Sequence, residues 1–135
     1  MKKFNCLLFV DDDYMTNYYH KEILLEADIA EHLLFFSNPL EALSYLKERE
    51  DKDYIRPDII FLDIHMPEMS GWEFVEKYGE IIPFPDTKIY ILSDSLNPLD
   101  PERARTNPKI MGFRYKPLSI EYISELGEKL LYQEN

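Results

Sequence analysis

Cysteine is nearly absent from this chain: a single thiol, Cys6, occurs in 135 residues. One thiol cannot form an internal disulfide. Its place in an apolar run makes a buried, reduced group the expected state, as in a cytosolic protein. Basic residues are also scarce, with 15 Lys and Arg against 26 Asp and Glu and a formal net charge of −11. That deficit argues against nucleic acid or an anionic membrane as the main partner, since both require a cationic footprint. No apolar stretch is long enough to span a bilayer. Met1-Lys2-Lys3 resembles the start of a signal peptide, but the apolar run behind it breaks at Asp11, Asp12 and Asp13, too early for a signal core. These absences lead to the expectation of a cytoplasmic protein. Repeats, linkers and low-complexity segments are missing too. At this length one core is expected, with no separate output domain.

What is present is material for a core, 45% hydrophobic and 14% aromatic residues. The stretch from Pro57 to Gly71, PDIIFLDIHMPEMSG, organises the rest. Ile59 to Leu62 is a short continuous apolar run, as in a strand covered on both faces. It stops at the ionisable Asp63, and Met66, Pro67 and Gly71 then mark a loop. A carboxylate at the carboxyl end of a buried central strand lies where open α/β sheets place their ligands.

The remaining segments repeat that pattern. Cys6 to Val10 reads as a first strand, with Asp11, Asp12 and Asp13 at its carboxyl end. Tyr14 to Ala27 is helical, with Met15, Tyr19, Ile23, Leu24 and Ala27 as its expected apolar stripe. Leu33 to Phe36 makes a short second strand, and Asn38, Pro39 and Glu41 suit the start of a second helix. Ser70 and Glu73 have capping-box spacing for a third helix, with Gly79 as its expected C-cap. Lys88 to Leu92 is a fourth strand, stopping at Ser93. Pro98, Pro101 and Pro108 confine a fourth helix to about residues 101 to 106, with Asp100 as its cap. Gly112 to Tyr115 is a fifth strand ending at Lys116-Pro117, and Ser119 caps a last helix carrying Ile123, Leu126 and Leu130. Strands alternating with helices predict an α/β fold, a parallel sheet with helices on both faces.

Four strand ends therefore carry polar groups: the acidic run, Asp63, Ser93 and Lys116. In a doubly wound sheet all four open on one edge. With Asp11-Asp12, LDIHMPEMSG, ILS and YKP at these ends, the chain resembles the receiver domain of two-component response regulators, similar to the stand-alone chemotaxis type. The resemblance implies a flavodoxin-like (βα)5 fold with a five-stranded sheet in the order 2-1-3-4-5. It implies Asp63 as phosphoacceptor and Mg²⁺ held by Asp11, Asp12, Asp63 and the backbone carbonyl of His65, with Asp11 acting largely through water. It also implies Lys116 as a second cation, with a cis bond between it and Pro117, and Ser93 and Phe113 as switch residues. The implied partners are a histidine kinase or histidine phosphotransfer protein and an unnamed downstream protein. The expected function is a phosphorylation-controlled signalling module, not an enzyme in its own right.

Chemistry supports these roles. Phosphoryl transfer depends on positioning and charge neutralisation. Three crowded acids resist full ionisation, and a hard divalent ion relieves them while drawing in phosphate. Asp13, one residue past the acidic pair, reads as a solvated loop charge. His65 is expected to act through its carbonyl and not its ring. His20 and His32 show no ligand spacing and read as surface residues, and Trp72, Tyr18 and Tyr19 as packing residues. Three features depart from the family pattern: Asp94 after Ser93, the bulky Tyr115 before Lys116, and the proline-shortened fourth helix. A rival reading, a haloacid-dehalogenase-like phosphatase with Asp11 as nucleophile, meets D-x-D at Asp11 and Asp13 but has Met15 where Thr or Val belongs. A second rival is a degenerate receiver that binds partners without phosphorylation.

Overall fold

The computed structural model describes residues 2–82 and 86–132. Ten elements alternate: β1 (Phe4–Val10), α1 (Tyr14–Ala27), β2 (Ala30–Phe36), α2 (Pro39–Lys47), β3 (Ile59–Leu62), α3 (Gly71–Ile81), β4 (Lys88–Ser93), α4 (Leu99–Arg105), β5 (Ile110–Tyr115) and α5 (Ile120–Leu131). All strand pairs are parallel, and the sheet order is β2-β1-β3-β4-β5. Val10 lies opposite both Phe36 and Leu62, Leu62 opposite Ile91, and Ile91 opposite Phe113. The carboxyl ends of β2, β1 and β3 thus finish level, and β4 and β5 run two residues further, to Ser93 and Tyr115, at the same edge.

Alternation along the strands builds two cores, one on each face. Leu8, Val10, Ile60, Leu62, Ile89 and Ile91 pack under α2 and α3 with Leu46, Phe74 and Val75. Leu7, Phe9, Ile59, Phe61, Tyr90 and Leu92 face the other way, against Leu24 of α1 and Ile123 and Leu126 of α5. Because both faces are covered, β1 and β3 read as unbroken apolar runs. Cys6 is buried and unpaired.

Local capping signals act as expected where they are strongest. The side chains of Asn38, Ser70 and Ser119 accept hydrogen bonds from Leu40, Glu73 and Tyr122 N–H groups at the starts of α2, α3 and α5. Four expectations need correction. The stripe proposed for α1 holds only towards its C-terminal end, where Leu24 is buried and Ile23 packs against the core: Met15 is 71% and Tyr19 47% exposed, and Asn17 and His20 are buried in their stead. The helix is oriented by polar attachments at its N-terminal end, which an apolar count does not see. Gly79 does not end α3, which runs on to Ile81; Gly79 instead lies against the Lys109 side chain. Asp100 does not cap α4 but sits buried within its first turn, because the helix starts earlier, at Leu99. Pro101 is tolerated there, since a first-turn N–H has no helical acceptor. The edge strands β2 and β5 also begin earlier than their apolar residues suggest, drawn out by pairing such as Phe4 with Ala30 and Ile89 with Ile110.

Candidate functional site

The polar rim is assembled from strand ends. Asp11 follows β1, Asp63 follows β3, Ser93 ends β4 and Lys116 follows β5. Carboxylate oxygens of Asp11, Asp12 and Asp63 lie within 4.8 Å of one another, with Asp11 and Asp63 buried and Asp12 exposed. The Lys116 ammonium reaches into this group, 2.6 Å from Asp11 Oδ2 and 3.3 Å from Asp63 Oδ1. The second Asp11 oxygen, Oδ1, accepts a hydrogen bond from Asp13 N–H at 2.9 Å.

Burial and neighbouring charge set the electrostatics. Burial, and after it the negative charge of Asp11, pushes Asp63 up to about 6, although Lys116 pulls the other way. Asp11 is raised by burial against the same opposition. For Lys116, burial disfavours the charge, but hydrogen bonds and attraction from Asp11 and Asp63 outweigh it and raise its pKa. One ammonium does not neutralise the cluster.

Backbone packing holds Asp63 in place. Gly71 donates its N–H to Ile64 O at 2.7 Å, and a Cβ on Gly71 would collide with the Asp63 carbonyl oxygen. Glycine is required here by close approach.

The other sequence-derived residues fall as follows. Ser93 is fully buried; its hydroxyl oxygen accepts from Ser95 N–H at 2.9 Å, and its carbonyl accepts from Lys116 N–H at 2.8 Å. Phe113 is half-buried against the α2/α3-side core, edge-on to the Tyr115 ring at 5.2 Å. The peptide bond between Lys116 and Pro117 is cis. Asp13 caps α1, its side chain accepting from Met15 N–H and the Thr16 hydroxyl, and the Thr16 bond leads in holding its pKa down. The His65 ring is turned outward, with Nε2 3.6 Å from Asp100 Oδ2. Asp94 is exposed and borders a shallow hollow of about 300 Å³ with Met15, Thr16, Tyr19, Lys116 and Pro117. A larger hollow, about 570 Å³ and lined by Val75, Tyr78 and Lys109, lies at the amino end of β4, away from the acids.

Trp72 packs as expected, under the Arg103 guanidinium at 4.5 Å. Tyr18 does not pack: it is largely exposed, as is Tyr19. His32 is exposed, but His20 is buried, and reading it as a surface residue is wrong. Its ring stacks on Phe9 at 5.4 Å, and Nε2 accepts from Leu118 N–H at 2.9 Å. Burial, reinforced by the positive charge of Lys116, lowers its pKa to about 4. Asn17 was missed as well: its Nδ2 donates to Asp11 O at 2.8 Å, tying α1 to the acidic strand end. The spacing of residues 17, 20 and 24 is the one signal that could have shown this inward face.

These features coincide with a known family. The model of the response regulator receiver domain matches residues 7–126. The chain belongs to the response regulator receiver domain family. A two-component response regulator from Cytophaga hutchinsonii superposes with a TM-score of 0.86 at 26% identity, covering 98% of this chain and 100% of the other. A response regulator receiver protein from Dyadobacter fermentans DSM 18053 gives 0.77 at 27% identity, covering 92% and 95%. The protein-glutamate methylesterase/protein-glutamine glutaminase 1 of Methanospirillum hungatei JF-1 is 28% identical over 132 residues, 94% of this chain but 35% of that protein. This receiver thus spans about a third of that relative's length, and the methylesterase activity is said of the relative alone. The family match and the sheet order assign the chain to two-component signalling and give the phosphatase reading no support. Among the described residues no helix is long and apolar enough to cross a membrane.

Proposed function

We propose that this receiver accepts a phosphoryl group on Asp63 from a histidine kinase or histidine phosphotransfer protein, and that the added charge switches binding to a downstream protein. The observation that carries this reading is the Lys116 ammonium bridging Asp63 and Asp11 inside a three-carboxylate cluster. An Asp63 oxygen attacks phosphorus, the O–P bond forming as the P–N bond to the donor imidazole breaks and its electron pair leaves with that nitrogen. The carboxylate is already a competent nucleophile, so the protein's work is positioning and charge compensation. Lys116 is a compact ammonium suited to a phosphoryl oxygen.

The donor set fits a hard divalent ion, with three carboxylates in reach of one point and one of them open to solvent. Asp11, Asp12, Asp63 and the His65 carbonyl would hold Mg²⁺, which when bound supplies positive charge for the acids and the phosphoryl oxygens alike. Ser93 exchanges its bond from Ser95 N–H for one donated to the phosphoryl group, and Phe113 turns inward into the space that opens.

Incubation with Mg²⁺ and acetyl phosphate tests the reading. Label is expected on wild type, absent from Asp63→Asn and retained in Asp11→Asn; the reverse pattern would revive the phosphatase. Beryllofluoride with Mg²⁺ should shift the amide resonances of Ser93 to Ser95 and of Phe113. An unchanged spectrum would leave a receiver that works without phosphorylation.

A further inference from the structure

Buried among aromatic rings, His20 is a titratable group that phosphoryl transfer does not use directly. We propose that His20 is a positioning residue for Lys116, holding the turn after β5 through the Leu118 amide. The inference rests on the phosphoryl-transfer reading and adds a residue to it.

The turn has few places to be held. Lys116 N–H bonds to Ser93 O, Pro117 has no N–H, and Leu118 N–H bonds to His20 Nε2. Leu118 is itself buried, so its amide has little access to water as an alternative partner. One hydrogen bond on each side of the proline therefore sets the path of the backbone from which the Lys116 side chain extends. Lys116 Nζ meets two carboxylates at 2.6 and 3.3 Å, a geometry that a small shift of that backbone would spoil.

The tautomer strengthens the case. Because Nε2 accepts, the ring proton is on Nδ1, which is buried with no hydrogen-bond partner among the described residues. An unpaired buried donor destabilises the fold. Leucine would fill the space beside Phe9 without that cost. What imidazole supplies and leucine cannot is the acceptor facing Leu118. Since burial keeps the ring neutral down to about pH 4, that acceptor is present throughout the physiological range. The bond spans 98 residues and ties α1 to the turn before α5.

The test compares His20→Leu with His20→Gln, whose side-chain oxygen can take the place of Nε2. With acetyl phosphate and Mg²⁺, phosphorylation of folded His20→Leu should slow by about tenfold or more, as expected for a displaced charge at a reacting centre. His20→Gln should recover most of the rate. In a Lys116→Ala background, His20→Leu should add little, because its effect passes through the missing ammonium. Equal rates for wild type and His20→Leu, or a full additional loss in the Lys116→Ala background, would overturn the proposal. A second readout needs no phosphorylation. In ¹⁵N-lysine-labelled protein the ion-paired Lys116 ammonium should give a slowly exchanging resonance in wild type and His20→Gln that is lost in His20→Leu. Its persistence in His20→Leu would also overturn the proposal. Should wild type take no label, the phosphoryl-transfer reading fails, and the ammonium resonance still decides whether His20 positions Lys116. Should His20→Leu fail to fold, His20→Phe takes its place, keeping a ring against Phe9 without an acceptor for Leu118: a slowed rate and a lost ammonium signal support the proposal, and wild-type values of both overturn it.

Discussion

At the scale of single residues, the rim works through imbalance. Asp63 and Asp11 are buried side by side, and one ammonium serves both, so Asp63 is still pushed up to about 6. Residual negative charge is what makes the cluster receptive to a further cation. His20 shows the converse, a group kept neutral by burial. It titrates near 4 when folded, against an ordinary value of 6.5. Between those values the unfolded chain binds a proton that the folded chain refuses, so stability falls as pH drops from about 6.5 to 4 and is unaffected by this group above that window. The loss at the acid end should be about 3 kcal/mol. His20→Leu should lack it, so the difference in urea midpoint between wild type and variant should be flat above pH 7 and move in favour of the variant towards pH 4.

At the scale of elements, the loop from β4 into α4 is the least regular connection at the rim, and polar clamps replace apolar packing there. Ser95 donates its hydroxyl to Asp100 Oδ2 at 2.6 Å while its N–H holds the Ser93 hydroxyl oxygen. Asp100 is buried in the first turn of a seven-residue helix that has no side-chain cap, where a carboxylate also meets the positive end of the helix. One acid thus joins the helix to the loop that holds Ser93. Asp100→Ala should cost about 1–2 kcal/mol, the value of a charge-assisted bond and an orphaned hydroxyl. Urea denaturation measures that loss. Hydrogen exchange should place it, with faster exchange confined to residues 94 to 106. Helix α1 makes the same point about polar contacts. Its orientation follows from the Asp13 cap and from Asn17 on the Asp11 carbonyl, and Met15 and Tyr19 of its sequence stripe end up outside.

At the scale of the molecule, a two-faced apolar core brings the strand ends to one edge and so forces like charges together there. The −11 net charge of the chain adds a general repulsion that a bound divalent ion relieves locally. Mg²⁺ at about tenfold its Kd should stabilise the folded protein by about 1.4 kcal/mol. For a domain of this size that is a rise in Tm of about 5 °C. Differential scanning calorimetry with and without Mg²⁺ measures the shift, which should shrink in Asp12→Asn and Asp63→Asn.

The sequence by itself determined the five strands, the alternation that folds them into a parallel sheet, the caps at Asn38, Ser70 and Ser119, and the acid, hydroxyl and ammonium at the strand ends. All of these are written in neighbouring residues, through runs, periods and three-residue spacings that act before distant parts of the chain meet. Only the tertiary structure decided which face of α1 turns inward, that His20 is buried, and that Asp100 clamps a loop instead of capping a helix. Those outcomes depend on partners far along the chain or on how a short helix seats against a loop. His20 and Leu118 are 98 positions apart, and no local pattern states that an imidazole will be the acceptor for that amide.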